Sequence, residues 1–133
     1  MANTKPIGVA YSDQDISGAD SLMSNIKLGY TAAGQGTVTQ ATSKATGVTL
    51  NKSAGRITMA NGVAVSFTLT NSFISTNDVL ILCVSAGAVL DPVAYTVYTS
   101  SLAAGSAVVT LRNLSATSRS EAVVVNFALI HCD

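Results

Sequence analysis

The sequence contains little charge, and the charges are scattered along it. Only 11 % of the 133 residues are Asp, Glu, Lys or Arg, against about 25 % in a typical soluble protein. The seven basic and seven acidic residues cancel to a net charge of zero, and no two basic residues are adjacent. Proteins that bind nucleic acid need a basic patch that neutralises phosphates. We therefore expect no nucleic-acid partner.

Aromatic residues are scarce as well. They make up 5 % of the chain and Trp is absent, although 48 % of the residues are hydrophobic. The apolar content is therefore mainly Ala, Val, Leu and Ile, which fill the layer between two sheets but form poor cages or stacking platforms for ligands. The composition predicts no small-molecule substrate and no cofactor.

No apolar run is long enough to cross a membrane as a helix. The longest clean run is VLILCV (Val79–Val84), whereas a spanning helix needs about 18 residues. The N-terminal residues MANTKPIGVAYSDQD lack the basic and apolar regions of a secretory signal. We expect no membrane partner and synthesis in a cytoplasm. The mean hydropathy of +0.44 then predicts a domain that buries part of its exterior against copies of itself or a larger body.

Catalytic motifs are missing. The sequence has no GxSxG, Walker or Gly-rich dinucleotide motif, and its one histidine, His131, stands at the far end of the chain, where nothing in the sequence ties it to a serine or cysteine nucleophile. We therefore expect no enzymatic activity and no catalytic residue.

The potential metal ligands are poorly arranged. His131, Cys132 and Asp133 are consecutive, and neighbours on a strand point to opposite faces, so they converge poorly. Asp13, Asp15 and Asp20 lie in DQDISGAD, which lacks the Gly and Glu spacing of an EF-hand. We expect no metal site and interpret these aspartates as a solvated turn or as partners of a cation. Cys83 is expected to be a small buried hydrophobe, and a disulfide with Cys132 is left open.

From residue 36 onward, apolar and polar residues alternate in short stretches rich in β-branched residues, which is typical of strands. The predicted strands are 36–40, 47–50, 56–59, 63–70, 78–85, 92–100, 106–112 and 123–130. Asn61-Gly62 is predicted to form a type I′ hairpin turn. Strands 78–85 and 123–130 are apolar on both faces. The pattern predicts an all-β domain over residues 36–133, a β-sandwich or jelly roll of about eight strands.

Residues 1–35 show no sustained periodicity, and we expect them to form an extended N-terminal arm that contacts a partner. The candidate partner-binding residues of this arm are Ile7, Val9, Tyr11, Ile16, Leu22, Met23 and Ile26.

The order of several motifs resembles a module common among structural proteins of tailed bacteriophages. The motifs are VTQATSKATGVTLNKSAGRITM, VSFTLTNSFISTNDVLIL and AYTVYTSSLAAGSAVVTLRNLSATSRSEAVVVNFALI. They lie in a segment from about residue 36 to residue 131, roughly three quarters of the chain. The opening IGVAYSDQDI is similar to the N-terminus of phage head-associated proteins, including those of cyanobacterial phages.

The resemblance implies a virion component without catalysis, of the capsid decoration or cement type. It implies a place on the capsid surface, where the protein would bind the major capsid protein. We expect a homotrimer, because strands 78–85 and 121–130 are apolar on both faces. The alternative is a receptor-binding or tail-fibre domain, for which Tyr95 and Tyr98 are the only loop-side aromatic candidates, and strand alternation predicts that these two point to opposite faces. A tail-tube or baseplate subunit is a third alternative.

Overall fold

The structure, a computed structural model, describes residues 29–85 and 91–132, which form eight strands and two short 3-10 helices. The strands are β1 (Gln35–Thr39), β2 (Val48–Thr49), β3 (Ala54–Thr58), β4 (Ser66–Thr70), β5 (Val79–Val84), β6 (Tyr95–Ala103), β7 (Ser106–Asn113) and β8 (Val124–Ile130). The helices are η1 (Ala32–Gly34) and η2 (Pro92–Ala94). Each predicted strand overlaps one of these eight.

The strands form two four-stranded sheets. The first sheet has the order β1-β3-β8-β5 and the second the order β2-β4-β7-β6. The pairs β1–β3 and β2–β4 are parallel and the other neighbours are antiparallel. The predicted all-β sandwich of about eight strands is confirmed.

The core lies between the two sheets and is built from alternate residues of the strands, as the period of two requires. In β4, Phe67 and Leu69 are buried while Ser66, Thr68 and Thr70 are exposed. The most deeply buried apolar residues, at most 1 % exposed, are Ile57, Met59, Leu69, Ala107, Val109, Leu111, Val123, Val125 and Leu129. They contain no aromatic ring, in keeping with the composition.

The predicted hairpin at Asn61-Gly62 is wrong. A type I′ turn needs positive φ at both central residues, and among the described residues only Gly62 and Gly105 have positive φ, 139° and 78°. The strands on either side of Asn61-Gly62, β3 and β4, belong to different sheets. The segment crosses from one sheet to the other, and the Gly62 amide donates to the carbonyl of Ser120, 2.8 Å away. The predicted strand 63–70 therefore begins only at Ser66.

The prediction that Cys83 is buried is also wrong. In β5, Leu80, Leu82 and Val84 face the core and are partly buried, while Val79, Ile81 and Cys83 alternate with them and are exposed. β5 is an edge strand of the first sheet, and no other described element covers its outer side. Cys83 and Cys132 are both free thiols. Cys83 lies opposite Asn126 and Val79 opposite Ile130, so Cys83 is several residues along the sheet from Cys132, beyond disulfide reach.

Candidate interaction surfaces

The outer side of the first sheet carries an apolar patch on β5 and β8, which we call the β5–β8 outer face. It consists of Val79, Ile81 and Cys83 of β5 with Ala128 and Ile130 of β8. Val79 and Ile81 are 50 % exposed and Ile130 is 49 % exposed. Neither strand contains a charged residue. Contiguous apolar patches of this kind on a soluble protein indicate a contact surface.

The outer side of the second sheet is polar by contrast. The hydroxyls of Ser66, Thr110 and Ser100 form a row across β4, β7 and β6, with oxygen–oxygen distances of 2.7 Å and 2.8 Å. Tyr98 lies opposite Thr110 and is 42 % exposed. Arg112, two residues after Thr110 on β7, is an exposed charged residue of the same side. The two sheets therefore give the described sandwich two chemically different sides.

A second group of exposed apolar residues lies on loops at one end of the sandwich, and we call it the loop-end triad. It consists of Val63 (63 % exposed), Val93 (84 %) and Leu114 (62 %). The Leu114 amide donates to the carbonyl of Ala94 over 2.7 Å, which places Leu114 beside Val93. Val63 lies in the segment that is bonded to Ser120 through Gly62. All three residues are therefore presented by neighbouring loops.

A partly exposed polar network holds the loops of Val93 and Leu114 together. The Arg119 guanidinium lies 3.2 Å from Asp91 and 3.8 Å from the Glu121 carboxylate. The Tyr95 hydroxyl donates to Glu121 over 2.9 Å. Burial, together with this hydrogen bond and the charge of Glu121, raises the pKa of Tyr95 to about 12. The network joins the segment around η2 to the loop between β7 and β8, so the triad rests on a fixed base.

Lys44 extends this network into the interior. It is 2 % exposed, and its ammonium donates to the carbonyl of Glu121 over 2.7 Å. Burial lowers the pKa of Lys44, and the charge of Glu121 opposes that shift. Gln40 supports the same loop, since its amide donates to the carbonyls of Lys44 and Thr46.

A second polar cluster surrounds Asp78, where β5 begins and β8 ends. The Asp78 side chain is fully buried and accepts hydrogen bonds from the Ser75 amide and hydroxyl, the Cys132 amide and His131 Nδ1. Burial alone would raise the pKa of this carboxyl, but these hydrogen bonds outweigh it and hold the pKa well below its usual range. The cluster anchors the C-terminal end of β8 to β5.

The Asp78 cluster brings together a Ser, a His and an Asp, but not in the order of a catalytic relay. In such a relay the imidazole lies between the nucleophile and the carboxylate, whereas here the carboxylate lies between Ser75 and His131. Within the described ranges no group of three His, Cys, Asp or Glu side chains is placed to hold a metal ion. We therefore assign this cluster a structural role.

The chain enters the sandwich beside the first sheet. The Tyr30 hydroxyl donates to the carbonyl of Leu129 in β8. The Lys52 ammonium donates to the Ala33 carbonyl over 2.9 Å, which fixes η1. An open depression of about 580 Å³ lies between η1 and the outer side of β1 and β3, lined by residues such as Ala32, Gln35 and Arg56.

The arm residues predicted to bind a partner, Ile7, Val9, Tyr11, Ile16, Leu22, Met23 and Ile26, lie outside the described residues, as do Asp13, Asp15, Asp20 and Asp133. The prediction that Tyr95 and Tyr98 point to opposite faces is confirmed: Tyr95 is buried and Tyr98 is exposed. The bulge of β6 lies between Thr99 and Ser101 and leaves that alternation intact.

Sequence reasoning missed the polar residues of the interior. Gln40, Lys44, Asn71 and Asp78 are all buried. Each is a single polar residue in a loop or at a strand end, where sequence predicts exposure. Only Ser75 to Asp78 carried a local signal, since a Ser three residues before an Asp commonly closes a hydrogen-bonded turn.

Comparison with known proteins found no matching protein family, no matching curated protein and no matching solved structure. Among the residues that the structure describes, none of the helices has the length and apolar content needed to span a bilayer.

Proposed function

We propose that the protein is a non-enzymatic structural component of a virion. It is a capsid decoration, or cement, protein that binds the assembled icosahedral head through the major capsid protein and stabilises it. It acts as a homotrimer on the capsid surface after synthesis in the host cytoplasm. The phage-like motifs of residues 37–130 support this proposal together with the low charge of the chain.

The observation that carries the proposal is the loop-end triad. Val63, Val93 and Leu114 are the three most exposed large apolar residues in the described ranges, and they stand on loops braced by Arg119, Glu121 and Tyr95. Binding residues commonly lie on loops held by a rigid scaffold. Isolated charges are costly to bury at an interface, so an apolar, braced loop end suits repeated contacts with a shell.

The arm supplies the second contact with the shell. Its apolar residues Ile7, Val9, Tyr11, Ile16, Leu22, Met23 and Ile26 are the candidates for binding the major capsid protein. A cement protein binds the assembled shell in preference to loose subunits, and therefore shifts the assembly equilibrium by mass action. Many copies with modest contacts suffice for such an effect.

Co-sedimentation with undecorated heads tests the proposal. We expect the chain to sediment with heads and not to bind free capsid subunits. The variant V63S/V93S/L114S is expected to bind heads about tenfold more weakly or worse, because three apolar contacts are lost. The control variant T39S/T68S/T70S changes three exposed strand residues and should bind like the wild type. Failure of the wild-type chain to bind heads would contradict the proposal.

Native mass spectrometry tests the homotrimer. The expected mass is three times 13.5 kDa. A mass of 13.5 kDa at micromolar concentration would contradict a trimer that forms in solution. Three copies would then come together only on the shell.

A receptor-binding or tail-fibre domain is the second candidate. Tyr98 favours it, because this exposed ring stands beside the hydroxyl row of Ser66, Thr110 and Ser100, and aromatic rings with neighbouring hydroxyls suit carbohydrate. If Tyr98→Ala abolished binding to host cells while the wild-type chain ignored heads, this candidate would replace the first.

A further inference from the structure

We propose that β5 is an edge along which two copies of this chain pair, antiparallel and about a two-fold axis. The pairing joins the four-stranded first sheets of the two copies into one sheet. The inference concerns the isolated protein, so it holds or fails independently of the capsid assignment.

β5 presents a row of unpaired backbone groups. It is an edge strand, and its described neighbour is β8. The Ser85 amide donates to the Val124 carbonyl over 2.7 Å, and bonded and non-bonded pairs alternate along an antiparallel ladder. The odd-numbered residues of β5 therefore bond to β8, whereas the amides and carbonyls of Leu80, Leu82 and Val84 point away from it. We call these groups the β5 edge row, and within the described part of the chain nothing hydrogen-bonds to them.

β5 lacks the devices that keep edge strands apart. Natural edges are normally kept short, bulged, charged or interrupted by proline, because an open edge pairs with other strands. Both edges of the second sheet follow this rule: β2 has two residues, and β6 has a bulge between Thr99 and Ser101. β5 has six residues, an unbroken register with β8, and no charge or proline. Its edge is therefore suited to pairing.

The side chains of the edge row leave room for a further strand. Leu80, Leu82 and Val84 belong to the core side of the sheet but are only partly buried. Phe127 and Val125, which lie opposite Leu82 and Val84 on β8, are at most 4 % exposed. A strand beside β5 would extend the core over these side chains and remove apolar surface from water.

The sequence of β5 is complementary to its own copy. With the two-fold axis at Leu82, this residue bonds to the partner subunit's Leu82, and Leu80 bonds to the partner subunit's Val84. Ile81 then lies beside the partner subunit's Cys83. Like charges directly opposite each other destabilise a strand pair, and β5 contains no charge. A second copy is therefore the occupant that we assign to this edge.

The contact is small and does not compete with the proposed homotrimer. The six residues of β5 span about 20 Å, and one edge of that length buries less than the about 1,600 Å² of a standard interface. We therefore expect pairing at submillimolar rather than micromolar concentration, and between copies held close together on a surface. Edge pairing leaves the β5–β8 outer face open to other contacts.

Residue-resolved amide exchange of the full chain, followed by NMR from micromolar to submillimolar concentration, tests the pairing. We expect exchange at Leu80, Leu82 and Val84 to slow about tenfold over this range, since a hydrogen-bonded amide exchanges only when its bond opens. Exchange at Thr37 should stay constant, because this residue lies on β1, at the opposite edge of the same sheet. The mass from sedimentation velocity should at least double over the same range.

Leu82→Pro blocks the pairing at its centre, because proline has no amide hydrogen and is tolerated at a strand edge whose amide faces outward. We expect this variant to keep its micromolar mass at submillimolar concentration. Leu82→Ala is the matched control, since it shortens the same side chain but keeps the amide, and it should associate like the wild type. The exchange pattern of the wild type tests the proposal even if Leu82→Pro does not fold.

Three outcomes would overturn the proposal. A mass that stays constant up to submillimolar concentration would mean that no second copy binds. A rising mass without slower exchange at Leu82 would assign the association to another surface. Slow exchange at Leu82 that is already complete at micromolar concentration, without association, would mean that the chain covers its own edge. Each outcome is read on the isolated protein, so none of them depends on whether the protein binds heads.

Discussion

The Asp78 carboxylate joins the turn at Ser75 to the end of β8, at His131 and Cys132, through four hydrogen bonds. Its partners are up to 54 residues away in sequence. Because a buried carboxylate is costly unless it is fully hydrogen-bonded, the cluster makes the position of the β8 end depend on the charge state of one residue.

Asp78→Asn is expected to lower stability at neutral pH. It is also expected to make stability fall less steeply as the pH is lowered. A carboxyl whose pKa is depressed by folding contributes stability above its unfolded pKa of about 3.9 and loses it as the pH falls further. The urea midpoint of the wild type should therefore drop below pH 4 more steeply than that of the variant. If the urea midpoints of wild type and Asp78→Asn fell equally steeply below pH 4, this account would be contradicted.

Tyr95 makes stability depend on pH in the opposite direction, at alkaline pH. Burial and the Glu121 carboxylate favour the neutral phenol, and a group whose pKa is raised by folding contributes stability that is complete below its unfolded value of about 10. The stability advantage of the wild type over Tyr95→Phe should therefore shrink as the pH rises from 10 through about 12. Urea unfolding at pH 9, 10.5 and 11.5 measures it. A constant difference across this range would show that the phenol is not held neutral.

At the scale of elements, the packing of β3 against its neighbours depends on a missing side chain. A Cβ at Gly55 would lie 2.6 Å from Leu50 Cδ2 and 2.7 Å from Phe127 Cε1. Such distances are shorter than carbon atoms tolerate. Phe127 lies opposite Gly55 on the adjacent strand β8, and Leu50, the residue after β2, packs against the core. β3 lies between β1 and β8, so a shift there affects the whole first sheet.

Gly55→Ala is expected to destabilise the domain by about 1–3 kcal/mol through overpacking. Gly29→Ala is the matched control, since a Cβ at Gly29 meets nothing within 4 Å. Denaturant unfolding of both variants measures the effect. Equal stability of Gly55→Ala and Gly29→Ala would show that Leu50 and Phe127 move aside without cost.

The position of each strand follows from the local sequence pattern, whereas the identity of its neighbouring strands in the sheet does not. The alternation of polar and apolar residues in SFTLT predicts β4 and its buried face, because the period of two is visible within five consecutive residues. Asn61-Gly62 has the local signature of a hairpin, yet β3 pairs with β1 and β8 instead. That choice depends on contacts between distant residues. Cys83 shows the same limit: an apolar run predicts a strand, but only strand order decides which side is covered.

The sequence predicts that the protein has apolar contact surfaces, but it does not predict where on the fold they lie. Low charge and high apolar content predict contact surfaces, and exposed Val79, Ile81 and Ile130 agree with that expectation. The loop-end triad was not predictable, because Val63 continues an alternating pattern and belongs to a loop only through the crossing between the sheets. The Asp78–His131 pair spans 53 residues, so no local motif could indicate it.

At the scale of the whole molecule, the sandwich has two unlike sides and one apolar end. The first sheet presents Val79, Ile81 and Ile130, and the second presents the hydroxyls of Ser66, Ser100 and Thr110. A domain built in this way has a preferred orientation on any surface that it binds. In our proposal the loop-end triad meets the shell and the hydroxyl-rich side stays in water.

The central claim is that binding of this protein stabilises an assembled head. The most direct measurement is the temperature at which undecorated heads open, followed with a DNA-binding dye as the protein is titrated in. The account predicts that this temperature rises with protein concentration and levels off once the sites are filled, as binding to the assembled state alone requires. An opening temperature that stays constant although the protein sediments with the heads would contradict it.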